Sequence, residues 1–181
     1  MQRLVNEFRD YARLPSADLK AIDLNELIQE VLHLYEINAD GTQSDRPALR
    51  FEPEPCPRIL GDAQQLRQVI HNLVQNALDA TEGVDRVSEF GAEVLIRTQW
   101  SEASRRVRMS VVDAGHGFSD AILKRVFEPY VTTKSKGTGL GLAVVKKIAE
   151  EHGARIDVSN RLYEGRVIGA QVSLSFEPAP A

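Results

Sequence analysis

Asp113-Ala114-Gly115-His116-Gly117-Phe118 opens a run that continues through Val126-Phe127-Glu128-Pro129-Tyr130-Val131-Thr132-Thr133-Lys134 and closes with Gly137-Thr138-Gly139-Leu140-Gly141-Leu142. Two glycine-rich turns flank a segment of Pro, Thr and Lys, and the second turn passes directly into a helical pattern, Leu142-Ala143-Val144-Val145-Lys146-Lys147-Ile148-Ala149. Backbone N–H groups at a helix start, freed of side chains by glycine, form a cradle for phosphate. The run therefore reads as a nucleotide site.

Upstream of it, Ala92–Trp100 and Arg105–Asp113 have the pattern of two antiparallel strands joined by Glu102-Ala103-Ser104, so Asp113 falls where the second strand ends. A carboxylate there can accept a hydrogen bond from the exocyclic amine of adenine, and the glycines that follow let a base approach the backbone closely. An Asp-x-Gly-x-Gly string also occurs in ordinary turns, so its meaning depends on its neighbours. Ser119 begins a short helix leading to Phe127. The connection from Glu128 to Gly137 has two readings: a lid from which Lys134 and Lys136 reach a phosphate, or a solvated loop. Gly137 to Gly141 then bring N–H donors to the helix start, with Leu140 directed into the domain.

A second helix carries an unusual face. Asp62 is a suitable N-cap for a helix running to about Ala80, with Leu66, Val69, Ile70, Leu73, Val74, Ala77 and Leu78 as its apolar stripe. At about 100° per residue, Gln65, Gln68, Asn72, Gln75, Asn76 and Asp79 share roughly one third of the circumference. Solvated helix faces favour Lys, Glu and Arg, whereas Asn favours caps and turns. Two readings again stand, an amide-rich surface or a set of neutral oxygen ligands for a hard cation such as Mg²⁺.

The remaining chain sets limits. A length of 181 residues with 43% hydrophobic content allows one domain and a small appendage. With 22 basic and 26 acidic residues the net charge is −4, which argues against nucleic acid as a partner. The single Cys56 excludes an intrachain disulfide and sits among prolines with nothing to lower its thiol pKa. No apolar run approaches the roughly 18 residues of a membrane span, and no secretion signal is visible, so the expectation is a cytoplasmic domain whose parent protein is free to carry an inner-membrane anchor. Residues 1–14 place Leu4, Val5, Phe8, Tyr11 and Ala12 at helical spacing before Pro15 ends the helix. Asp23 and Glu26 have N-cap spacing for a helix to about Asn38. Asn38–Pro47 reads as a loop, and Ala48–Glu52, Arg58–Leu60, Arg155–Asn160 and Gln171–Phe176 as strands.

Taken together these stretches resemble the ATP-binding catalytic domain of sensor histidine kinases, within the wider GHKL group that includes gyrase B, Hsp90 and MutL. Asn72-Leu-Val-Gln-Asn76-Ala is similar to the asparagine box and Asp113-x-Gly115-x-Gly117 to the first glycine box. Phe127-Glu-Pro-Tyr130 with Thr132-Thr133-Lys134 is similar to the phenylalanine box, and Gly137-Thr-Gly-Leu-Gly-Leu142 to the second glycine box. The Phe-Arg-Asp-Tyr-Ala-Arg-Leu-Pro run and the short lid are similar to kinases of the nitrogen-regulation type.

The resemblance implies a two-layer α/β sandwich, the Bergerat fold, with helices on one face of a mixed, mostly antiparallel sheet. It implies residues 1–18 as the end of a dimerisation helix with its hinge, and 19–181 as the catalytic domain. ATP and Mg²⁺ are the implied cofactors, with Asn76 on the metal and Asn72 nearby. Asp113 would read the adenine amine, Gly115, Gly117 and Phe118 would line its loop, and Asp79 would border the site. Thr138, Gly139 and Gly141 would hold phosphates between Gly137, Leu140 and Leu142, while Phe127, Thr133 and Lys134 belong to the lid. The implied partners are a histidine-bearing dimerisation domain of the same kinase and a response regulator, with the full-length protein a homodimer. Two departures matter. Hydrolytic relatives carry a glutamate one turn before the Mg²⁺ asparagine, and here that position is Asn72, which cannot take a proton. No histidine fits the phospho-acceptor of the family: His33 and His71 read as surface or packing residues, His116 lies between glycines, and His152 ends a helix where positive charge is favourable. The expected activity is transfer of the γ-phosphoryl group to a histidine outside this chain. The competing readings are a GHKL ATPase and a nucleotide-sensing module without transfer.

Overall fold

The computed structural model of the protein describes residues 15–37, 48–82, 93–129 and 141–180. The helix expected over residues 1–14 and the loop expected at 38–47 lie outside them. In chain order the elements are β1 (Lys20–Ile22), α1 (Leu24–Ile37), β2 (Ala48–Glu52), β3 (Ile59–Gly61), α2 (Ala63–Glu82), β4 (Glu93–Ser101), β5 (Arg106–Val112), α3 (Asp120–Leu123), α4 (Gly141–Glu151), β6 (Arg155–Tyr163) and β7 (Arg166–Phe176).

Five strands form a sheet in the order β2-β4-β5-β7-β6, with β2 parallel to β4 and every other pair antiparallel. The alternation along β4 shows which face is covered: Val94, Ile96 and Thr98 are buried, while Glu93, Leu95 and Arg97 are half-buried and Gln99 is exposed. Ile28 of α1, Leu66, Ile70 and Leu73 of α2 and Val145 and Ile148 of α4 meet Ile96, Met109, Leu174 and Phe176 of the sheet in one apolar core. The expected two-layer α/β arrangement with a mixed, mostly antiparallel sheet is the observed one. On the other face Arg97 reaches Glu52, and Ser110 and Ser173 hydrogen-bond at 3.1 Å, so polar side chains satisfy one another where no helix covers them.

Three elements differ from expectation. The strand β1 carries too few residues for a visible alternation, and it exists because Lys20, Ala21 and Ile22 pair antiparallel with Gly61, Leu60 and Ile59. The helix expected from Ser119 to Phe127 is a single turn, Asp120–Leu123, capped by the Ser119 hydroxyl accepting from the Ile122 N–H. The last hairpin is longer than expected, because Glu164 and Gly165 both adopt positive φ (48° and 77°) and join Tyr163 to Arg166 by a two-residue turn. Such turns usually carry Asn-Gly or Asp-Gly, and Glu-Gly does not advertise one.

Both expected caps are present. The Glu26 N–H donates to Asp23 Oδ1 at 3.1 Å, and the Gln65 N–H donates to Asp62 Oδ1 at 3.2 Å. Asp62 also ties in the start of the domain, since its Oδ2 accepts from the Asp18 N–H at 2.9 Å. Gln65 is buried and donates from Nε2 to the Pro15 carbonyl at 2.7 Å, so it serves this junction and leaves the amide face proper to its neighbours. His152 follows α4 and serves as a bridge: Nδ1 lies 2.8 Å from the Ile148 carbonyl, while Nε2 accepts from the Asp62 N–H at 3.0 Å, so the ring joins the end of α4 to the start of α2. Cys56 donates to the Glu54 carbonyl at 3.1 Å, and burial, with the Glu54 charge, pushes its thiol up, which agrees with a structural role.

Burial acts to raise the Asp62 carboxyl, but the backbone N–H groups of Asp18, Gln65 and Gln64, with His152 nearby, outweigh it and hold the pKa below the ordinary carboxylate range. A depressed folded pKa contributes stability that is present above the unfolded pKa and is lost as pH falls through the folded one. Replacing Asp62 by Ala is expected to cost about 1 kcal/mol at neutral pH. Urea titrations should show that gap closing only as pH falls below the ordinary carboxylate range, and equal midpoints at pH 7 would contradict the cap.

Candidate functional site

The site forms where the C-terminal half of α2, the end of β5 and the start of α4 converge. Along α2, Asn72, Asn76 and Asp79 are half-buried, as the amide-lined face requires. Asn72 donates from Nδ2 to the Gly141 carbonyl at 3.5 Å, a long bond to the first residue of α4. A Cβ built on Gly141 would stand 3.4 Å from Asn76 Nδ2 and 3.8 Å from its Oδ1, so the Asn76 amide lies directly against the same residue. Gln75 donates to Asp79 Oδ1 at 2.9 Å, one turn along, and orients that carboxylate. The two expected asparagines are thus brought to the N-terminus of α4, where N–H groups lack intrahelical partners.

Asp113 is buried at the end of β5, and its polar atoms are held from several sides. Its N–H donates to the Ala170 carbonyl at 2.9 Å, and its Oδ1 accepts from the N–H groups of Gly115 and Ala170 at 2.9 and 3.0 Å. The two donors fix the plane of the carboxylate before any ligand arrives. From the other side, Ala114 N–H donates to the buried Thr81 hydroxyl at 3.2 Å, and Thr81 in turn donates to the Ala77 carbonyl at 2.8 Å. Thr81 therefore ties the asparagine helix to the Asp113 loop.

Two glycines are demanded by space. A Cβ on Gly115 would lie 2.7 Å from the Ala80 carbonyl oxygen, and one on Gly117 would lie 2.5 Å from Val167 Cγ1 and 2.6 Å from Asn160 Oδ1. Gly117 also has φ 71°, a conformation that favours glycine. Phe118 is half-buried, its backbone held at both ends by the Asn160 amide. Phe127 is half-buried beneath Lys146, whose Nζ stands 5.4 Å from the ring centroid. Leu142, the second residue of α4, is half-buried against the core. Of the expected site residues, Thr133, Lys134, Gly137, Thr138, Gly139 and Leu140 lie outside the described residues, as do Tyr130 and Lys136.

Thr81, Ala170, Asn160 and Arg161 were not singled out by the sequence. A threonine in the last turn of a helix and an Asn-Arg pair in a strand carry no local signal, and each becomes relevant only through a partner at least 33 positions away. Among the described residues no group of three or more His, Cys, Asp or Glu side chains could hold a metal ion. What meets α4 is instead the amide pair of Asn72 and Asn76, each with its Nδ2 toward Gly141, and the ligand atom such a pair offers is a neutral amide oxygen. It fits a cation that takes only one or two protein ligands and keeps phosphate and water oxygens for the rest.

Residues 61–179, more than half of the chain, match the family described as histidine kinase-, DNA gyrase B-, and HSP90-like ATPase, and the chain belongs to that family. It is 36% identical to the sensor histidine kinase ZraS of Escherichia coli K12 over 91% of its own length and 33% of that protein. It is 33% identical to the nitrogen regulation protein NtrY of Azorhizobium caulinodans over 97% of its length and 21% of that protein, which supports the nitrogen-regulation resemblance. Among solved structures, full-length ShkA in complex with AMPPNP superposes with a TM-score of 0.78 at 30% identity, over 99% of this chain and 36% of that one. The chain spans about a third or less of each of these proteins.

The contact between Gly115 and Ala80 has a direct consequence for stability. Gly115→Ala places a methyl group against backbone that cannot rotate away, and is expected to destabilise by about 1–3 kcal/mol. Thermal unfolding without nucleotide measures this. A midpoint equal to that of the wild type would show that the loop and the end of α2 are not in contact.

Proposed function

We propose that this chain is the MgATP-binding catalytic part of a sensor histidine kinase, with residues 19–181 as the catalytic domain and 1–18 as the end of a dimerisation helix and its hinge. Asn72 is the observation that carries transfer over hydrolysis. One turn before Asn76, where a general base for water would stand, there is an amide that donates to Gly141 and has no basic site. Asp113, held by Gly115 and Ala170, accepts from the adenine amine, and Gly115, Gly117 and Phe118 border the base. Asn76 holds Mg²⁺ together with phosphate oxygens, Asp79 borders that metal, and the glycines and Thr138 of the 137–141 turn receive the phosphates. Leu140 and Leu142 anchor that turn, and Phe127, Thr133 and Lys134 act from the lid. The ShkA complex with AMPPNP supports ATP as the ligand.

When bound, MgATP supplies the γ-phosphoryl group. The chain's own residues position it and neutralise charge while the bond to the β-phosphate oxygen breaks and a bond to an imidazole nitrogen forms, leaving ADP. The accepting histidine belongs to a dimerisation domain of the parent protein, which we infer to be homodimeric and to pass the phosphoryl group on to a response regulator. Among the described residues no helix is long and apolar enough to cross a membrane, and we place this domain on the cytoplasmic side of a parent that is free to be anchored.

Incubating the chain with labelled ATP, Mg²⁺ and a separate histidine-bearing dimerisation domain should label that domain, with little phosphate released to water. Rapid release without labelling would favour the ATPase reading, and tight binding with neither outcome would favour a sensing module. In the same assay Asn76→Ala should abolish transfer while circular dichroism stays unchanged, and undiminished Mg²⁺-dependent transfer would remove Asn76 from the metal. Asp113→Asn keeps an acceptor for the Gly115 and Ala170 N–H groups but exchanges a carboxylate oxygen for a donor. Calorimetry should show ATP affinity reduced by roughly 10-fold to 100-fold, the equivalent of one charge-assisted hydrogen bond.

A further inference from the structure

The loop that begins at Asp113 is held from a strand that none of the nucleotide motifs contains. Asn160 of β6 meets Phe118 with both ends of its amide: the Phe118 N–H donates to Oδ1 at 2.8 Å, and Nδ2 donates to the Phe118 carbonyl at 2.7 Å. The next residue, Arg161, donates from Nη1 to the Asp113 carbonyl at 2.6 Å. Two neighbours on one strand therefore grip the first and last residues of the 113–118 loop.

The local structure explains how they can. Successive side chains of a regular strand point to opposite faces, so adjacent residues do not normally reach one loop. The register of β6 against β7 shifts between Arg161 and Leu162, immediately after this pair, and such irregularities re-aim neighbouring side chains. In that ladder Asn160 lies opposite Ala170 and Arg161 opposite Gly169. Ala170 already holds the Asp113 carboxylate, and a Cβ on Gly169 would overlap the Asp113 carbonyl oxygen. There is no slack on this side of the loop. The planar two-point clamp on Phe118 sets the rotation of that peptide, and the Arg161 contact sets the position of Asp113.

We propose that Asn160 and Arg161 are positioning residues for the nucleotide base. Among the described residues their hydrogen bonds go to the backbone of this loop, and they act through it on the plane of the Asp113 carboxylate, so they govern affinity for the adenine part of the ligand and leave the phosphate cradle unaffected. The inference rests on the reading of this site as an ATP site.

The two ideas can be separated by calorimetry on the chain with ATP and with inorganic tripolyphosphate, which has no base. Asn160→Ala is expected to lower ATP affinity about tenfold, the scale of losing a pair of ordinary hydrogen bonds, with tripolyphosphate binding unchanged. Unchanged ATP affinity in Asn160→Ala, or equal proportional losses for both ligands, would overturn the proposal, the second outcome marking a merely structural residue. If Asn160→Ala fails to fold, Arg161→Gln removes a single bond and is judged by the same two ratios. A wild-type chain that binds tripolyphosphate but not ATP would refute the base-recognition reading itself, and one that binds neither would refute the nucleotide site. This inference falls with either.

Discussion

At Gly115 the backbone passes so close to the end of α2 that an added methyl group would stand 2.7 Å from the Ala80 carbonyl oxygen, and at Gly169 it passes against the Asp113 carbonyl with no room for a side chain. These approaches of backbone to backbone set the distance between the asparagine face of α2 and the carboxylate at the end of β5. Side-chain packing of larger residues would tolerate repacking, whereas a peptide group held in a helix or sheet has little freedom to move aside. The Thr81 hydroxyl and the Ala170 N–H then convert proximity into fixed orientation, one from the helix layer and one from the sheet.

The polar chemistry of the site is largely neutral where the metal and phosphates are proposed to sit. Asn72 and Asn76 offer amides to the start of α4, whose free N–H groups favour negative charge. Carboxylates at both positions would oppose a polyphosphate, and a single one at position 72 would offer a base to water. The amide pair avoids both. The carboxylate stands at the end proposed for the base, where the buried Asp113 is held by backbone donors in advance. Preformed hydrogen bonds of this kind reduce the reorganisation that binding would otherwise require.

A second theme is the use of residues outside the recognisable motifs as supports. His152 bridges the end of α4 to the N-terminus of α2 through its two nitrogens, and Asp62 links that N-terminus to Asp18. Tyr35 of α1 stacks on His71 of α2, with its hydroxyl 2.7 Å from Nδ1. Each contact joins two elements through a polar side chain, so the helices that carry the site are tied by hydrogen bonds as well as packed along their lengths.

Elements whose signal is local can be read directly from the chain. Asp23 and Asp62 announce helix starts because a cap acts within three residues, and the strands β4 and β5 announce themselves by alternation. The motif residues Asn72, Asn76, Asp113, Gly115 and Gly117 stood out through the resemblance of their stretches, in order and spacing, to a known family, since each string alone also fits an ordinary helix face or turn. Other features depend on contacts between segments far apart in the chain. β1 exists through its pairing with β3, the long hairpin through a Glu-Gly turn with two positive φ angles, and the bridging contact of His152 through a backbone N–H ninety positions away. Thr81, Asn160 and Arg161 belong to the same class. Their residue types are ordinary, and a hydrogen bond between distant segments has no periodicity or spacing by which a chain can display it in advance.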